Sequence, residues 1–189
     1  MITVALWLLA IQGVIGAFDT LYYHEWRAQL PARGTLAAPE LQLHALRDFL
    51  YAAIFGTLPW LAWQGLWVVG FMAVLLAEIA LTMADFAVEV TVRKPIGDVY
   101  AGERITHAAM GIVYGALIAG LVPVLWDWWL LPTGFGGTVV VPELLRWGVS
   151  AMAAGVFLSG VRDLYAVFGL PHGGWPWSIP VTPKAGVQR

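Results

Sequence analysis

Cysteine is absent from the 189 residues, charge is scarce, and histidine occurs only four times. Without cysteine there can be no disulfide, thiolate metal site, iron–sulfur cluster or covalently attached c-type haem. Charged residues make up 12% of the chain, whereas a soluble domain carries about 25% because its surface must be wetted. The net charge of −2 comes with no basic stripe, so nucleic acid is not an expected partner. The multi-histidine boxes of membrane desaturases are also missing, and Ser150, Ser159 and Ser178 lie far from the acidic and histidine residues.

The chain is rich in apolar side chains instead. They form 60% of it, give a mean hydropathy of +0.75 and fall in long runs, which points to a bilayer as solvent. The first run, Ile2 to Phe18, lacks a basic leader and exceeds an ordinary signal-peptide core, so it reads as a retained helix. Five segments can cross about 30 Å of hydrocarbon at about 1.5 Å per residue. They lie near 2–26, 40–63, 66–92, 103–127 and 143–168. Pro31, Gly34 and Pro39 break the first loop, Pro95, Gly97 and Gly102 the third, and Pro132 to Pro142 the fourth. The connection at Trp63 to Gly65 is short. The expected fold is an all-α integral membrane protein of about five transmembrane helices. It forms one domain over 1–169, followed by an irregular cytoplasmic or interfacial tail at 170–189.

Alternating these spans sorts the cations. Arg27, Arg33, Arg47, Arg93, Lys94, Arg104, Arg162, Lys184 and Arg189 fall at one end, and only Arg146 at the other. The positive-inside rule makes the crowded end cytoplasmic, with the N-terminus outside and the C-terminus inside a bacterial-type inner membrane. Trp7, Trp60, Trp63, Trp67, Trp126, Trp128, Trp129 and Trp147 collect at the far end, as an interfacial aromatic belt does.

The rare polar residues also repeat. With Asp19 set on Asp85, Arg27 falls on Arg93. After a shorter loop Glu40 falls on Glu103, His44 on His107 and Tyr51 on Tyr114, and Pro59 answers Pro123 one residue out of register. The pattern reads as a duplicated helical hairpin, with halves at about 2–63 and 66–127 forming a four-helix bundle about a pseudo-twofold along the membrane normal. The helix at 143–168 stands outside the repeat, free to contact a second copy or a membrane partner.

Glu40 and His44 share a helical face at i,i+4, as do Glu103 and His107. Glu78, Asp85 and Glu89 form one stripe on the third helix, and Asp19, His24 and Glu25 lie near the end of the first. Chain direction brings them all to the same end. Each ionisable group in a membrane costs about 2.5–3.5 kcal/mol on insertion scales, and carboxylates crowded together repel. Arg47, Arg93 and Arg104 can supply some counter-charge and protons more, but a pair of metal ions neutralises such a group best, because it also takes neutral histidines as ligands. The expected ligands are Glu40, His44, Asp85, Glu89, Glu103 and His107, with Asp19 and Glu25 as ligands or outer partners. Tyr51 and Tyr114, further into the bundle, would hydrogen-bond the site or take part in redox catalysis. The inventory resembles that of ferritin-like di-metal bundles, which use Glu-x-x-His. The spacing here is Glu-x-x-x-His, which turns the histidine by about 100°, so the likeness is one of logic rather than descent.

Blander readings exist for single residues. Glu40 and Glu103 suit helix starts, Glu78 suits a protonated interhelical bond, and His24 beside Trp26 suits the interface. His172 belongs to the tail, and Arg162 with Asp163 reads as a snorkelled pair. The expected function is a metalloprotein with a dinuclear, iron-type site (zinc or manganese being the other options), an oxidoreductase acting on a lipid or other lipophilic small molecule. A zinc-dependent hydrolase is an alternative. So are a proton-coupled transporter using Glu78, Asp85 and His107 and a b-type haem protein with His44 and His107 as axial ligands.

Overall fold

The computed structural model describes residues 1–177, so Ser178, Lys184 and Arg189 lie outside the described residues. The chain is mostly helical. Helix α1 (Ile2–Phe18) continues without a break as a π-helical segment, Asp19–Ala28. Gln29 ends it in the left-handed region at φ 54°, its N–H bonding to the His24 carbonyl. A 3₁₀ stretch, Leu30–Leu36, leads to α2 (Ala38–Thr57), followed by α3 (Trp67–Val92), α4 (Ala101–Trp129) and α5 (Glu143–Val167). Pro39 sits in the first turn of α2, where its missing N–H costs no helical bond.

Four helical stretches, Ile2–Ala28, Trp67–Val92, Ala101–Trp129 and Glu143–Val167, are long and apolar enough to cross a membrane. The polarity of the surface agrees with that reading. Val14, Leu21, Val69, Leu76, Ile112, Val122, Phe157 and Leu158 are exposed, while Asp19, Glu40, His44, Glu78, Asp85, Arg93 and Glu103 are buried. Soluble folds show the reverse. Helix α2 differs from the other four. It carries Glu40, His44, Arg47 and Asp48, and it packs against α3 on one side and α5 on the other. Helix α1 packs against α4 and α5. An apolar core of Leu6, Leu9, Ile54, Phe71, Leu117 and Leu121 fills the middle of the packed helices.

The second helix was expected to run to residue 63 and no strands were expected. Instead α2 stops at Thr57, just before Pro59, and β1 (Leu61–Gln64) pairs antiparallel with β2 (Gly134–Thr138). The pairing satisfies backbone groups that a connection at a membrane interface would otherwise leave open. Its turn needs glycine, because Gly65 has φ 56° and a Cβ there would run into the Thr133 backbone. Trp67 stacks on Phe135 at 4.6 Å and Trp63 meets the same ring edge-on at 5.2 Å. At this end Arg146 is buried, donating to the Val139 carbonyl at 2.6 Å with Trp60 beneath its guanidinium.

Candidate metal centre

At the opposite end from the sheet, the C-terminal ends of α1's continuation and of α3 meet the N-terminal ends of α2 and α4. This meeting brings residues far apart in sequence to one depth. His24, His44 and His107 come from three different helical segments, and their rings converge. His24 and His44 are stacked, with centroids 4.5 Å apart and planes 8° apart. His107 stands edge-on to His24 at 6.4 Å.

Carboxylates surround the three rings. His24 Nε2 lies 3.2 Å from Glu103 Oε1 and 3.4 Å from Asp19 Oδ2. His107 Nε2 lies 3.1 Å from the same Asp19 oxygen. His44 Nε2 lies 3.3 Å from Asp85 Oδ1 and 3.8 Å from Glu40 Oε1. Helix α5 adds Asp163, whose Oδ2 is 3.9 Å from His44 Nδ1.

The π-helical segment explains why His24 is here. An α-helix places residues five apart about 140° out of phase, from about 100° per residue. A helix with i→i+5 bonds brings them onto one face. Asp19 and His24 are separated by that interval, and both are buried toward the centre. An α-helical reading turns His24 away from that face; the sequence placed it at this end of the bundle and allowed an interfacial role beside Trp26. Trp26 is exposed, as expected of an interfacial residue.

Two arginines hold the cluster together. Arg93, fully buried just after α3, donates through Nε to both oxygens of Glu40 (2.7 and 2.9 Å) and through Nη2 to Glu103 Oε1 (2.9 Å). Glu103 Oε2 takes the Tyr100 N–H at 3.3 Å, closing the first turn of α4. Arg47 donates to Asp85 Oδ2 at 2.7 Å, with Glu78 3.7 Å from its Nε on the inner side. Seven buried carboxyl groups, Asp19, Glu40, Glu78, Asp85, Glu89, Glu103 and Asp163, thus stand at this end with the guanidinium groups of Arg47 and Arg93, an excess of acid over fixed cation. Burying that excess without counter-charge is costly; metal ions or protons on the imidazoles must offset it.

The remaining sequence candidates are more peripheral. Glu89 lies at the rim, 3.9 Å from His107 Nδ1. Glu25 points away and pairs with Arg162 at 2.9 Å, while Arg162 also holds the Gly173 and Trp175 carbonyls of the tail. Tyr51 and Tyr114 sit one layer deeper, with rings 6.0 Å apart. The Tyr51 hydroxyl accepts from Gln12 at 3.2 Å, and the Tyr114 hydroxyl donates to the Leu75 carbonyl at 3.4 Å. Sequence reasoning missed the placement of His24 and Asp163. Arg47, Arg93 and Arg104 were expected to supply counter-charge; Arg47 and Arg93 do, whereas Arg104 is exposed and pairs with Asp98.

Two groups have ligand atoms within 4.8 Å of one another, Asp19 with His24 and His107, and His24 with Glu40 and His44. Ligands on opposite sides of an ion at about 2.1 Å stand about 4.2 Å apart, a span close to that of both groups, which makes them candidates for a metal ion. Asp19 Oδ1, Asp85 Oδ1 and His24 Nε2 are buried without a hydrogen-bond partner among the described residues. Both Glu40 oxygens already serve Arg93, but a carboxylate has about four lone-pair sites and can do both. A cavity of about 370 Å³ lies between α1, α2 and α5, and Asp19, His24 and His44 line one end of it. No family model, curated protein or solved structure matches the chain, and its chemistry is read from this geometry alone.

Proposed function

We propose that the chain is a membrane-embedded metalloprotein that works as an oxidoreductase on a lipophilic small molecule. Asp19, His24, His44, Asp85 and His107 are the principal ligands, with Glu40 and Glu103 adjoining and Glu89 at the rim. The observation carrying this reading is the convergence of three imidazoles with two aspartates that each keep a buried oxygen unpaired. The reading takes two ions, one for each candidate group, with His24 common to both groups. The oxygen-rich mixture with imidazole favours iron, with manganese and zinc behind it. Iron bound there supplies oxygen or electron-transfer chemistry, while the protein's own residues orient the substrate and keep water out. Tyr51 and Tyr114, a layer inward, are the residues proposed to exchange protons or electrons with the centre.

The same reading takes α1 to α4 as a duplicated hairpin. Glu40 and Glu103 share one arginine, and Tyr51 and Tyr114 meet edge to edge, which is what a pseudo-twofold would produce. Helix α5 then completes the centre through Asp163. The cluster faces the cytoplasm in this proposal, on the strength of the cation distribution.

Elemental analysis of detergent-purified protein tests the reading. Wild type should retain at least one equivalent of a transition metal per chain, and His24→Ala and the double variant His44→Ala/His107→Ala should lose it. Equal, sub-stoichiometric metal in all three would end the proposal. Zinc in place of iron would move the assignment to a hydrolase that activates water.

A further inference from the structure

The cavity between α1, α2 and α5 reaches the centre, and its lining is divided. Gly13, Gly16, Phe55, Met110, Met152 and Val156 form apolar walls. Asp19, His24, His44, Asp48 and Asp163 form the polar end. Ala17, Leu21 and Gly155 line it too and are exposed on the lipid-facing surface, so the space opens sideways between α1 and α5. Its volume, about 370 Å³, falls within the ~300–1,000 Å³ of small-molecule sites.

The lining carries four carboxyl groups, Asp19, Glu25, Asp48 and Asp163, against one guanidinium, Arg47, which is already paired with Asp85 and has Glu78 3.7 Å from its Nε. Gln12 Oε1, on the wall, and Asp19 Oδ1, at the polar end, are both buried with no donor among the described residues. Asp163 is buried nearby, its closest cation partner being His44 Nδ1 at 3.9 Å. Groups left like this call for a ligand that brings hydrogens. A carboxylate or phosphate head would meet Asp19, Asp48 and Asp163 as like charges.

We infer that this cavity binds a single-chain amphiphile entering from the bilayer, its hydrocarbon chain between α1 and α5 and a hydrogen-bond-donating head, hydroxyl or ammonium, against Asp19, Asp163 and the histidines. The inference deepens the proposed function by naming the substrate class of that centre, and it rests on that reading only for what happens to the head once bound.

Two glycines make it testable without touching a candidate ligand. A Cβ added at Gly155 meets nothing within 4 Å, and one at Gly16 meets only the Met110 sulfur at 3.8 Å. Both positions line the cavity, so leucine there is expected to narrow it, and leucine is a better helix former than glycine. The probe is a dodecanol analogue with a mid-chain diazirine, photolysed with the full chain in phosphatidylcholine nanodiscs and mapped by mass spectrometry. Label is expected on the α1, α2 and α5 segments around Gly13, Phe55 and Met152. Excess dodecanol or dodecylamine should compete, the better competitor identifying the head, and laurate should compete poorly. Gly155→Leu and Gly16→Leu should each cut labelling about tenfold or more, with helix content by circular dichroism and metal content unchanged. Absent label, label undiminished in whichever of the two variants keeps wild-type helix content, or competition by laurate equal to that by dodecanol would overturn the inference. Metal content of the same preparations judges the metal centre separately, since label can enter a metal-free protein and a metal-loaded protein can exclude it.

Discussion

The hairpins α1–α2 and α3–α4 carry the same polar sequence and use it differently. Each has an aspartate eight residues before an arginine, then glutamate, histidine and tyrosine on the next helix. The aspartates, glutamates, histidines and tyrosines of both reach the interior, but the arginines do not. Arg93 is fully buried between two glutamates, whereas Arg27 is exposed and lies over the Tyr100 ring at 4.6 Å. The cause is the backbone. Helix α3 keeps α geometry to Val92, so Asp85, Glu89 and Arg93 stay on one face at i, i+4 and i+8. The first hairpin switches to π geometry at Asp19, which turns His24 inward, and Arg27 there is exposed. One hairpin supplies the cation that binds the glutamates, the other the third imidazole. A strict twofold would have two arginines or two extra imidazoles at the centre.

The largest expected effect comes from reversing that division. Arg93→Ala leaves Glu40 and Glu103 as uncompensated buried charges and should destabilise the fold by about 3–5 kcal/mol, read as a shift in detergent-denaturation midpoint. Arg27→Ala should leave the midpoint unchanged; equal losses in the two variants would break the comparison. Next is the imidazole. His24→Ala should lower metal affinity by at least about 10–100-fold, as loss of even an outer partner does, while Val90→Ala, at the corresponding step from Asp85, should have no effect on metal content. Tyr51→Phe removes the acceptor of the Gln12 amide and should cost about 1 kcal/mol. Tyr114→Phe, which loses a 3.4 Å bond, should cost less; the same denaturation series ranks the two. The smallest effect is expected at Glu25. Its carboxylate belongs to Arg162, so Glu25→Gln should keep full metal content, and metal loss there would return Glu25 to the centre.

Much of this was legible before any coordinates. Long apolar runs gave five expected spans, of which four are apolar helices with about the expected ends and the one at 40–63, helix α2, is not among them; Glu40/His44 and Glu103/His107 showed their shared faces by i,i+4 spacing alone. Three features were hidden for physical reasons. His24 depends on a helix type that departs from the 3.6-residue period on which sequence patterns rest. Asp163 sits beside Arg162 like an ordinary snorkelled pair, and only the packing of α5 on α2 turns it toward His44. The β1–β2 ladder joins segments about 70 residues apart, and its short strands, LAWQ and GFGGT, carry only Trp63 and Phe135 as aromatic residues, which a membrane interface explains equally well.

X-ray absorption at the edge of whichever metal copurifies tests the central claim most directly. The account predicts a first shell of nitrogen and oxygen at about 2.0–2.2 Å with the outer-shell scattering of imidazole, diminished in His24→Ala. A shell of oxygen alone, or a spectrum unaltered by that substitution, would contradict it.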